Sequence, residues 1–326
     1  MVRIKLLVML NIKYPIIQAP VGGIATPELA AAISNSGGLG GLALSWSSPE
    51  DAEHKILKFK SLSTKPVYAN FVLNFEPRAL KRTLELGVKI IQFSWGMPTD
   101  SMIDLIKSYN AKIGIQVTSK QSAVKAMALR PDYLVCQGVE AGGHVQASKS
   151  LDKVLSEVLE VATDEIPVFA SGGISTGKHL NHYLNLGASG VVMGTRFVVS
   201  QESGAHQIYK ETLVNSKTDD TVLTVCMNKG WDNAAHRIIR NSTFNQWESH
   251  GCAIVGNRPG EHDVLGKNPT GKDIERYSFS APTAHVSGEI EAMTLYAGTS
   301  VRDINSIKSA GEIIKDIWKD YQEFKS

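Results

Sequence analysis

Eight short apolar runs, separated by intervals long enough for one helix each, constrain the fold of this chain more than any other feature. Each run is almost continuously apolar, which is the pattern of a strand buried on both faces. The stretches between the runs are amphipathic and predict helices. The predicted strands are residues 15–19, 39–44, 66–73, 90–94, 112–117, 133–137, 167–171 and 190–194.

Residues typical of helix ends mark the stretches between these strands. Thr26 is a good N-cap, because Pro27 follows it at the first helical position. Gly87 and Gly187 lie just after helical stretches, where a left-handed backbone is favoured. Further helix starts are predicted at Thr99, Ser119, Ser150 and Thr176.

Strands and helices that alternate in this way predict a parallel sheet, since crossover helices cover both of its faces. Eight such units favour a closed (β/α)8 TIM barrel. The alternative is an open doubly wound sheet, whose dinucleotide fingerprint is a glycine-rich turn between the first strand and a helix. The glycine cluster at 37–41 precedes a strand instead, and the G-x-G-x-x-G spacing is absent. The barrel is therefore the predicted fold.

The pattern changes after Gly194, and this change suggests the domain organisation. Residues 1–200 are predicted to form the barrel core. Residues 201–300 are richer in polar residues and loop signals, such as those at 257–260 and 267–271. We expect them to form a helical and loop insertion that covers the active site. Residues 301–326 are expected to supply a terminal helix that returns to the barrel.

Charge and cysteine content narrow the class of protein. The 34 basic and 32 acidic residues leave a net charge of +2, which predicts neither a nucleic-acid partner nor a membrane surface. The three cysteines have no paired spacing, which favours a reducing compartment over a disulfide or zinc framework. The N-terminal stretch lacks a signal-peptide cleavage site. A cytoplasmic location is therefore the expectation.

The turn that follows the sixth predicted strand is the strongest candidate for a catalytic site. Gln137 ends the strand, and Gly142 and Gly143 lead directly into His144. In a barrel the strand ends at one face carry the active site. Histidine is the side chain whose unperturbed pKa suits proton transfer near neutral pH. His144 is therefore the predicted catalytic residue, and a hydrogen-bonded turn histidine is the alternative that the residues alone leave open.

Glycine pairs after the seventh and eighth strands predict a phosphate site beside His144. Gly172-Gly173 lets the backbone approach a ligand closely, and Gly194-Thr195 adds an N–H group and a hydroxyl. Barrels often bind phosphate on these two loops. Amide side chains at the other strand ends could meet the edge of a flat heteroaromatic ring. Phosphate together with such a ring suggests FMN, with amide contacts from Asn70, Gln116 and Gln137.

In combination these motifs resemble the nitronate monooxygenase family, formerly called 2-nitropropane dioxygenases. The resemblance is carried by Gln18-Ala-Pro, the run from Gln137 to His144, Ser171-Gly-Gly-Ile, Met193-Gly-Thr-Arg-Phe and Leu295-Tyr-Ala-Gly. It implies an FMN-binding barrel enzyme in which His144 is the base. The residues expected to bind the cofactor are Ala19, Pro20, Val21, Asn70, Gln116, Gln137, Gly142, Gly143, Gly172, Gly173, Val192, Met193, Gly194 and Thr195.

The resemblance also implies the reaction. A nitroalkane is a carbon acid, and a base such as His144 would remove its α-proton to give the nitronate. Oxidation of that small-molecule substrate by flavin and O₂ would give a carbonyl compound and nitrite. The enzyme alternative is an FMN-dependent NAD(P)H reductase of quinones or of an enoyl-acyl carrier protein, because such reductases resemble this family. The non-enzyme alternative is a flavin-binding protein without turnover. By analogy alone, a homodimer paired through the insertion is expected.

For several other residues we favour a structural role over a functional one. His179 and His182 could share a helix face, but the pattern places no further metal ligands beside them. Cys136 is predicted to be a small core residue, and Glu140 is predicted to cap nearby backbone. Two alternatives remain, lining of the pocket or packing in the core, for Trp231, His236, Arg237, Arg240 and Tyr296.

Overall fold

A barrel of eight parallel strands dominates the computed structural model, which describes residues 2–162 and 166–325. The strands, in chain order, are β1 (Ile16–Gln18), β2 (Gly40–Ala43), β3 (Val67–Val72), β4 (Ile90–Ser94), β5 (Lys112–Val117), β6 (Tyr133–Gln137), β7 (Gly143–His144), β8 (Val168–Ser171), β9 (Gly190–Met193), β10 (Thr221–Thr224), β11 (His236–Ile239), β12 (Val264–Lys267), β13 (Asp273–Glu275) and β14 (Ser287–Gly288).

Helices follow the barrel strands as the alternating pattern predicts. They are α1 (Val2–Leu10), α2 (Pro27–Asn35), α3 (Pro49–Leu62), α4 (Leu80–Glu85), α5 (Asp100–Ser108), α6 (Lys120–Ala128), α7 (Leu151–Leu159), α8 (Gly177–Asn185), α9 (Thr195–Val198), α10 (Gln207–Val214), α11 (Ser242–Ser249) and α12 (Ala310–Lys325). In the described part of the chain, no helix is both long and apolar enough to cross a bilayer.

The barrel is built from all strands between β1 and β9 except β7, in the spatial order β1-β9-β8-β6-β5-β4-β3-β2. A parallel bridge between Ile17 and Leu39 joins the two ends of this series. Each of the eight predicted strands overlaps one barrel strand, so the predicted TIM barrel is confirmed. The eight carboxyl ends therefore meet at one face, as the site prediction requires.

Helix caps follow the predicted positions with one exception. The hydroxyl oxygens of Thr26, Thr99, Ser119 and Thr176 each accept a hydrogen bond from the backbone N–H three residues later. The Ser150 side chain makes no such bond. The carboxylate of Glu140 instead accepts from the N–H of Leu151 at 2.9 Å, at the start of α7. The structure thus supports the capping role predicted for Glu140. At the start of α7, Glu140 takes the place of the predicted cap Ser150.

The tract from 201 to 300 contains strands that the sequence pattern did not predict. β10 and β11 form a three-stranded antiparallel sheet with β7, and β12 pairs with β13 and β14 in a second sheet. These strands have four residues or fewer, too short for a long apolar run, and all except the mostly buried β11 are at least partly exposed. The helices of the tract are α10 and α11. The terminal helix α12 begins at Ala310 and packs against α8 and α2 of the barrel.

Candidate active site

A cavity of about 560 Å³ opens at the carboxyl ends of the barrel strands. Its size lies within the range of about 300 to 1,000 Å³ that is usual for small-molecule and cofactor sites. Barrel strand ends form the floor and one side. Residues from the 201–300 tract form much of the remaining wall, among them Trp231, Phe279, Ala281, Thr283 and Tyr296.

Fourteen of the fifteen predicted site residues line this cavity, so the structure brings together positions spread over most of the barrel. The exception is Met193, which is fully buried in the core between strands and helices. Successive side chains of a strand point to opposite faces. Val192 therefore faces the cavity, and Met193 faces the helices. The lining residues are His144, Ala19, Pro20, Val21, Asn70, Gln116, Gln137, Gly142, Gly143, Gly172, Gly173, Val192, Gly194 and Thr195.

The backbone of His144 is fixed from two sides. Its strand β7 pairs with β11, with His144 opposite His236. The side-chain amide of Gln137 donates to the His144 carbonyl oxygen at 3.2 Å, and its oxygen accepts from the N–H of Gln146 at 3.0 Å. Gln137 therefore holds the histidine turn, although the sequence suggested that its amide contacts the cofactor.

The imidazole of His144 lies among aromatic rings at the cavity wall. It stacks on Trp231, with ring centroids 4.0 Å apart, and it meets Trp95 edge-on at 6.0 Å. Its Nε2 atom is buried and has no hydrogen-bond partner among the described residues. Burial, and secondarily the proximity of His236, lowers the pKa of His144 to about 3. At neutral pH the imidazole is therefore uncharged.

His236 lies beside His144 and is fixed in one tautomer. Its Nδ1 lies 2.8 Å from the Ala234 carbonyl oxygen, to which it must donate, and its Nε2 accepts from the N–H of Met227 at 3.0 Å. Burial lowers the pKa of His236 to about 4. Because both ring nitrogens are already used, His236 supports the local backbone and has no free nitrogen for proton exchange with a ligand.

The glycines after β8 and β9 form a cradle that lines the cavity. Gly172 and Gly173 have φ angles of 121° and 67°, which side chains rarely adopt. A Cβ at Gly173 would come within 3.0 Å of Glu140 Cβ and of Thr299 Oγ1. The Thr195 hydroxyl oxygen accepts from the N–H of Gly298 at 2.9 Å, which ties this cradle to the loop after Tyr296.

Amide and hydroxyl groups on the barrel floor form a connected network. Asn70 donates to the Ser94 hydroxyl at 3.3 Å and accepts from the amide of Gln92 at 3.1 Å. Gln92 also accepts from the hydroxyl of Tyr133 at 3.3 Å. Gln116 is outside this network and donates to the Gln146 side chain at 3.4 Å. Asn70, Gln92 and Ser94 line the cavity; the sequence had predicted Asn70, together with Gln116 and Gln137, but not Gln92 or Ser94.

These features fit FMN. Gly172 and Gly173 place backbone at the cavity surface at positive φ, and backbone N–H groups in such turns suit a phosphate. Apolar floor residues such as Ala19, Val135 and Val192 suit the faces of a flat ring, and the amide network suits its polar edge. The chemistry of the lining therefore agrees with the cofactor that the sequence suggested.

Sequence reasoning missed part of the aromatic lining. Trp46, Trp95 and Phe279 line the cavity together with Trp231 and Tyr296, for which a pocket position had been left open. Trp95 has a φ of 59°, unusual for a bulky residue. Its position directly after the fourth strand was the available signal, since strand ends at this face carry the site.

The residues set aside in the sequence have structural roles. Cys136 is buried in the core, which raises the pKa of its thiol to about 12. Arg237 donates to the carbonyl oxygen of Val139, and Arg240 pairs with Glu248. The described residues contain no group of three or more His, Cys, Asp and Glu side chains placed to hold a metal ion.

Comparison with known proteins agrees with this geometry. The nitronate monooxygenase family model matches residues 4–81 and 76–320. The chain belongs to the nitronate monooxygenase family. A nitronate monooxygenase of Pseudomonas aeruginosa is 31% identical over 265 residues, which cover 67% of this chain and 76% of that protein. A probable nitronate monooxygenase of Staphylococcus saprophyticus is 33% identical over 261 residues, covering 66% and 74%. The chain is therefore an oxidoreductase of a flavin-dependent family.

Solved structures show the same barrel. FabK from Thermotoga maritima matches 98% of this chain and 96% of its own, with a TM-score of 0.84 and 27% identity. A nitroalkane oxidase from Streptomyces ansochromogenes matches 98% and 99%, with a TM-score of 0.78 and 23% identity. The second likeness concerns the fold alone.

Proposed function

We propose that this member of the nitronate monooxygenase family binds FMN in the cavity and oxidises alkyl nitronates with O₂, with His144 as the base for neutral nitroalkanes. The observation that carries the proposal is the buried Nε2 of His144. It has no partner among the described residues, and it belongs to a residue of the cavity wall. A catalytic nitrogen needs such a free position, whereas a structural histidine uses both nitrogens, as His236 does.

The chain would hold FMN chiefly through backbone groups. Gly172, Gly173, Gly194 and Thr195 would bind its phosphate, and Asn70 and Gln92 would contact the polar edge of its ring. Bound FMN supplies the redox chemistry, in which a nitronate and O₂ are converted to a carbonyl compound and nitrite. Gln137 positions His144 through its backbone, because the Gln137 amide binds both His144 and Gln146.

The low pKa of His144 should affect the reaction of neutral nitroalkanes and that of pre-formed nitronates differently. The neutral imidazole has a lone pair that can accept the α-proton of a nitroalkane. The same burial makes it a weak base until a negative charge forms beside it, and the nitronate is such a charge. We therefore expect pre-formed nitronates to react faster than neutral nitroalkanes, which must first be deprotonated.

A second candidate is an FMN-dependent reductase that takes hydride from NAD(P)H. The observation that favours it is the likeness to FabK, at a TM-score of 0.84 over nearly the whole chain. Reduction of a quinone or of an enoyl thioester would use the same cavity, with His144 as a neutral proton donor or hydrogen-bonding group.

One experiment separates the two candidates. The purified protein is reconstituted with FMN, and its visible spectrum is followed after anaerobic mixing with ethyl nitronate or with NADH and NADPH. Rapid bleaching by the nitronate, followed by nitrite release when O₂ is admitted, is the expected result. Bleaching by NADH or NADPH but not by ethyl nitronate would favour the reductase. A protein that gains no flavin on reconstitution would refute both.

A further inference from the structure

We infer that the substrate of this enzyme carries an uncharged apolar or aromatic group, which binds against an aromatic wall beside His144. The wall consists of Trp46, Trp95, Trp231 and Phe279, all of which line the cavity. The inference rests on the proposed function and deepens it, because it concerns the part of the substrate that does not react.

The four rings form one continuous surface around Trp231. Its ring centroid lies 4.7 Å from that of Trp95 and 6.4 Å from that of Trp46. Phe279 extends the surface, 5.8 Å from Trp46 and 6.2 Å from His144. Phe75 packs behind it, with its ring centroid 5.1 Å from that of Trp231. Offset and edge-on contacts of this kind are the ones aromatic rings prefer.

The wall is positioned to bind the substrate. Trp231 stacks directly on the imidazole of His144, so a group that touches the wall lies next to the proposed reacting position. The polar network of Asn70, Gln92 and Ser94 is on the barrel floor instead. The polar groups of the cavity thus lie on its floor, suited to a cofactor edge, while the wall is apolar and suited to an organic substituent.

Charge is absent from the lining. In the chain as described, residues 2–162 and 166–325, no Asp, Glu, Lys or Arg side chain lines the cavity. Three charged residues are adjacent in sequence to lining residues: Glu140 accepts from the N–H of Leu151, Arg196 donates to the Ser306 carbonyl, and Asp232 is exposed. A substrate carboxylate held against the aromatic rings of this wall would lose its water without gaining a counter-ion, which is unfavourable.

A matched pair of substrates tests the inference on the FMN-loaded enzyme. The nitronates of 1-nitrobutane and 4-nitrobutanoate differ only in replacement of a terminal methyl group by a carboxylate. We expect kcat/KM to be lower for the carboxylate by on the order of 100-fold. The nitronate of (2-nitroethyl)benzene should be used at least as well as that of 1-nitrobutane. Equal or better use of the carboxylate would overturn the inference.

Two variants test whether the apolar group of the substrate binds at the aromatic wall, which is the proposed subsite. Trp46→Ala removes a partly exposed ring of the wall, and Trp318→Ala removes a ring on α12 outside the cavity as the control. We expect Trp46→Ala to raise KM for the aryl nitronate about tenfold, with a smaller effect on that of 1-nitrobutane. A similar loss for both substrates, or the same loss in the control, would contradict the assignment of the wall.

Equilibrium binding keeps this inference separate from the proposed reaction. Benzamide and benzoate are titrated into the FMN-loaded protein, and the quenching of tryptophan fluorescence and the flavin spectrum are recorded. Benzamide should bind at least about tenfold more tightly than benzoate. If nitronates are not oxidised but benzamide is still preferred, the proposed function fails and the subsite stands. If nitronates are oxidised but benzoate binds equally well, the subsite fails alone.

Discussion

The imidazole of His144 stacks on the indole of Trp231, with ring centroids 4.0 Å apart and 25° between the ring planes. The two residues come from different parts of the fold. His144 ends the turn after barrel strand β6, and Trp231 belongs to the tract that follows the barrel. The stack therefore joins the barrel strand ends to the tract that follows the barrel, and it shields the proposed base from water.

Removal of the stacked indole should make His144 more basic. Trp231→Ala admits water to the imidazole, and desolvation is the main cause of its low pKa. We expect the pKa to rise from about 3 toward 6.5, by at least about one unit. NMR titration of the His144 ring protons measures it, with the signal assigned by its loss in His144→Asn. Trp231→Phe keeps a stacked ring and should retain the low value; equal shifts in both variants would contradict this cause.

Acid should destabilise the fold through the two buried histidines. In the folded protein the pKa values of His144 and His236 are lowered to about 3 and about 4. In the unfolded chain the same two imidazoles bind protons more readily. Their contribution to stability is complete above pH 6.5 and is lost as the pH falls toward those values. Between pH 6.5 and 4.5, each can lower the free energy of unfolding by up to about 1.4 kcal/mol per pH unit. Urea unfolding at several pH values measures this slope.

A matched pair of variants tests how much of this pH dependence of the free energy of unfolding is due to His236. His236→Gln should make it shallower by up to about 1.4 kcal/mol per pH unit, because one of the two titrating groups is gone. His285→Gln changes an exposed imidazole and should leave the slope as it is. An unchanged slope in the first variant would show that His236 is not held neutral by burial.

The glycine cradle should be sensitive to one added methyl group. Gly173→Ala places a Cβ within 3.0 Å of Glu140 and Thr299 at a φ of 67°, and the backbone must shift to relieve the contact. We expect FMN affinity to fall at least about tenfold, measured by flavin fluorescence on titration. Gly271→Ala is the control: its φ is 82° and no atom lies within 4 Å of the added Cβ. Equal affinities of the two variants would place the phosphate elsewhere.

Gln137 should affect catalysis more than cofactor binding. Gln137→Leu leaves the His144 carbonyl and the Gln146 N–H without their side-chain partners. Stability should fall by about 1 to 3 kcal/mol, and kcat should fall more than FMN affinity, because the turn that holds His144 is loosened. Gln116→Leu is the comparison, because the Gln116 amide makes a single long contact of 3.4 Å among the described residues. A loss confined to FMN affinity would return Gln137 to the direct cofactor contact suggested by the sequence.

The barrel could be predicted from sequence because each strand is a buried apolar run and each interval holds one helix. Most of the site followed, since the ends of parallel strands meet at one face. The Met193 side chain lies outside the cavity, a placement that the motif could not report because it does not show which of two neighbouring residues points inward. The small sheets of β10 to β14 were missed because strands of two to four residues are too short to show an apolar run. The stack of Trp231 on His144 depends on a contact between residues distant in sequence, which no local pattern encodes.

The role of His144 as a base is the central claim, and one comparison tests it most directly. His144→Asn is loaded with FMN, and its turnover is measured with neutral nitroethane and with pre-formed ethyl nitronate. We predict an unchanged flavin spectrum, a loss of at least about 100-fold in kcat/KM for nitroethane, and a loss below about tenfold for the nitronate. Equal losses for both forms of the substrate would contradict the assignment of His144 as the base.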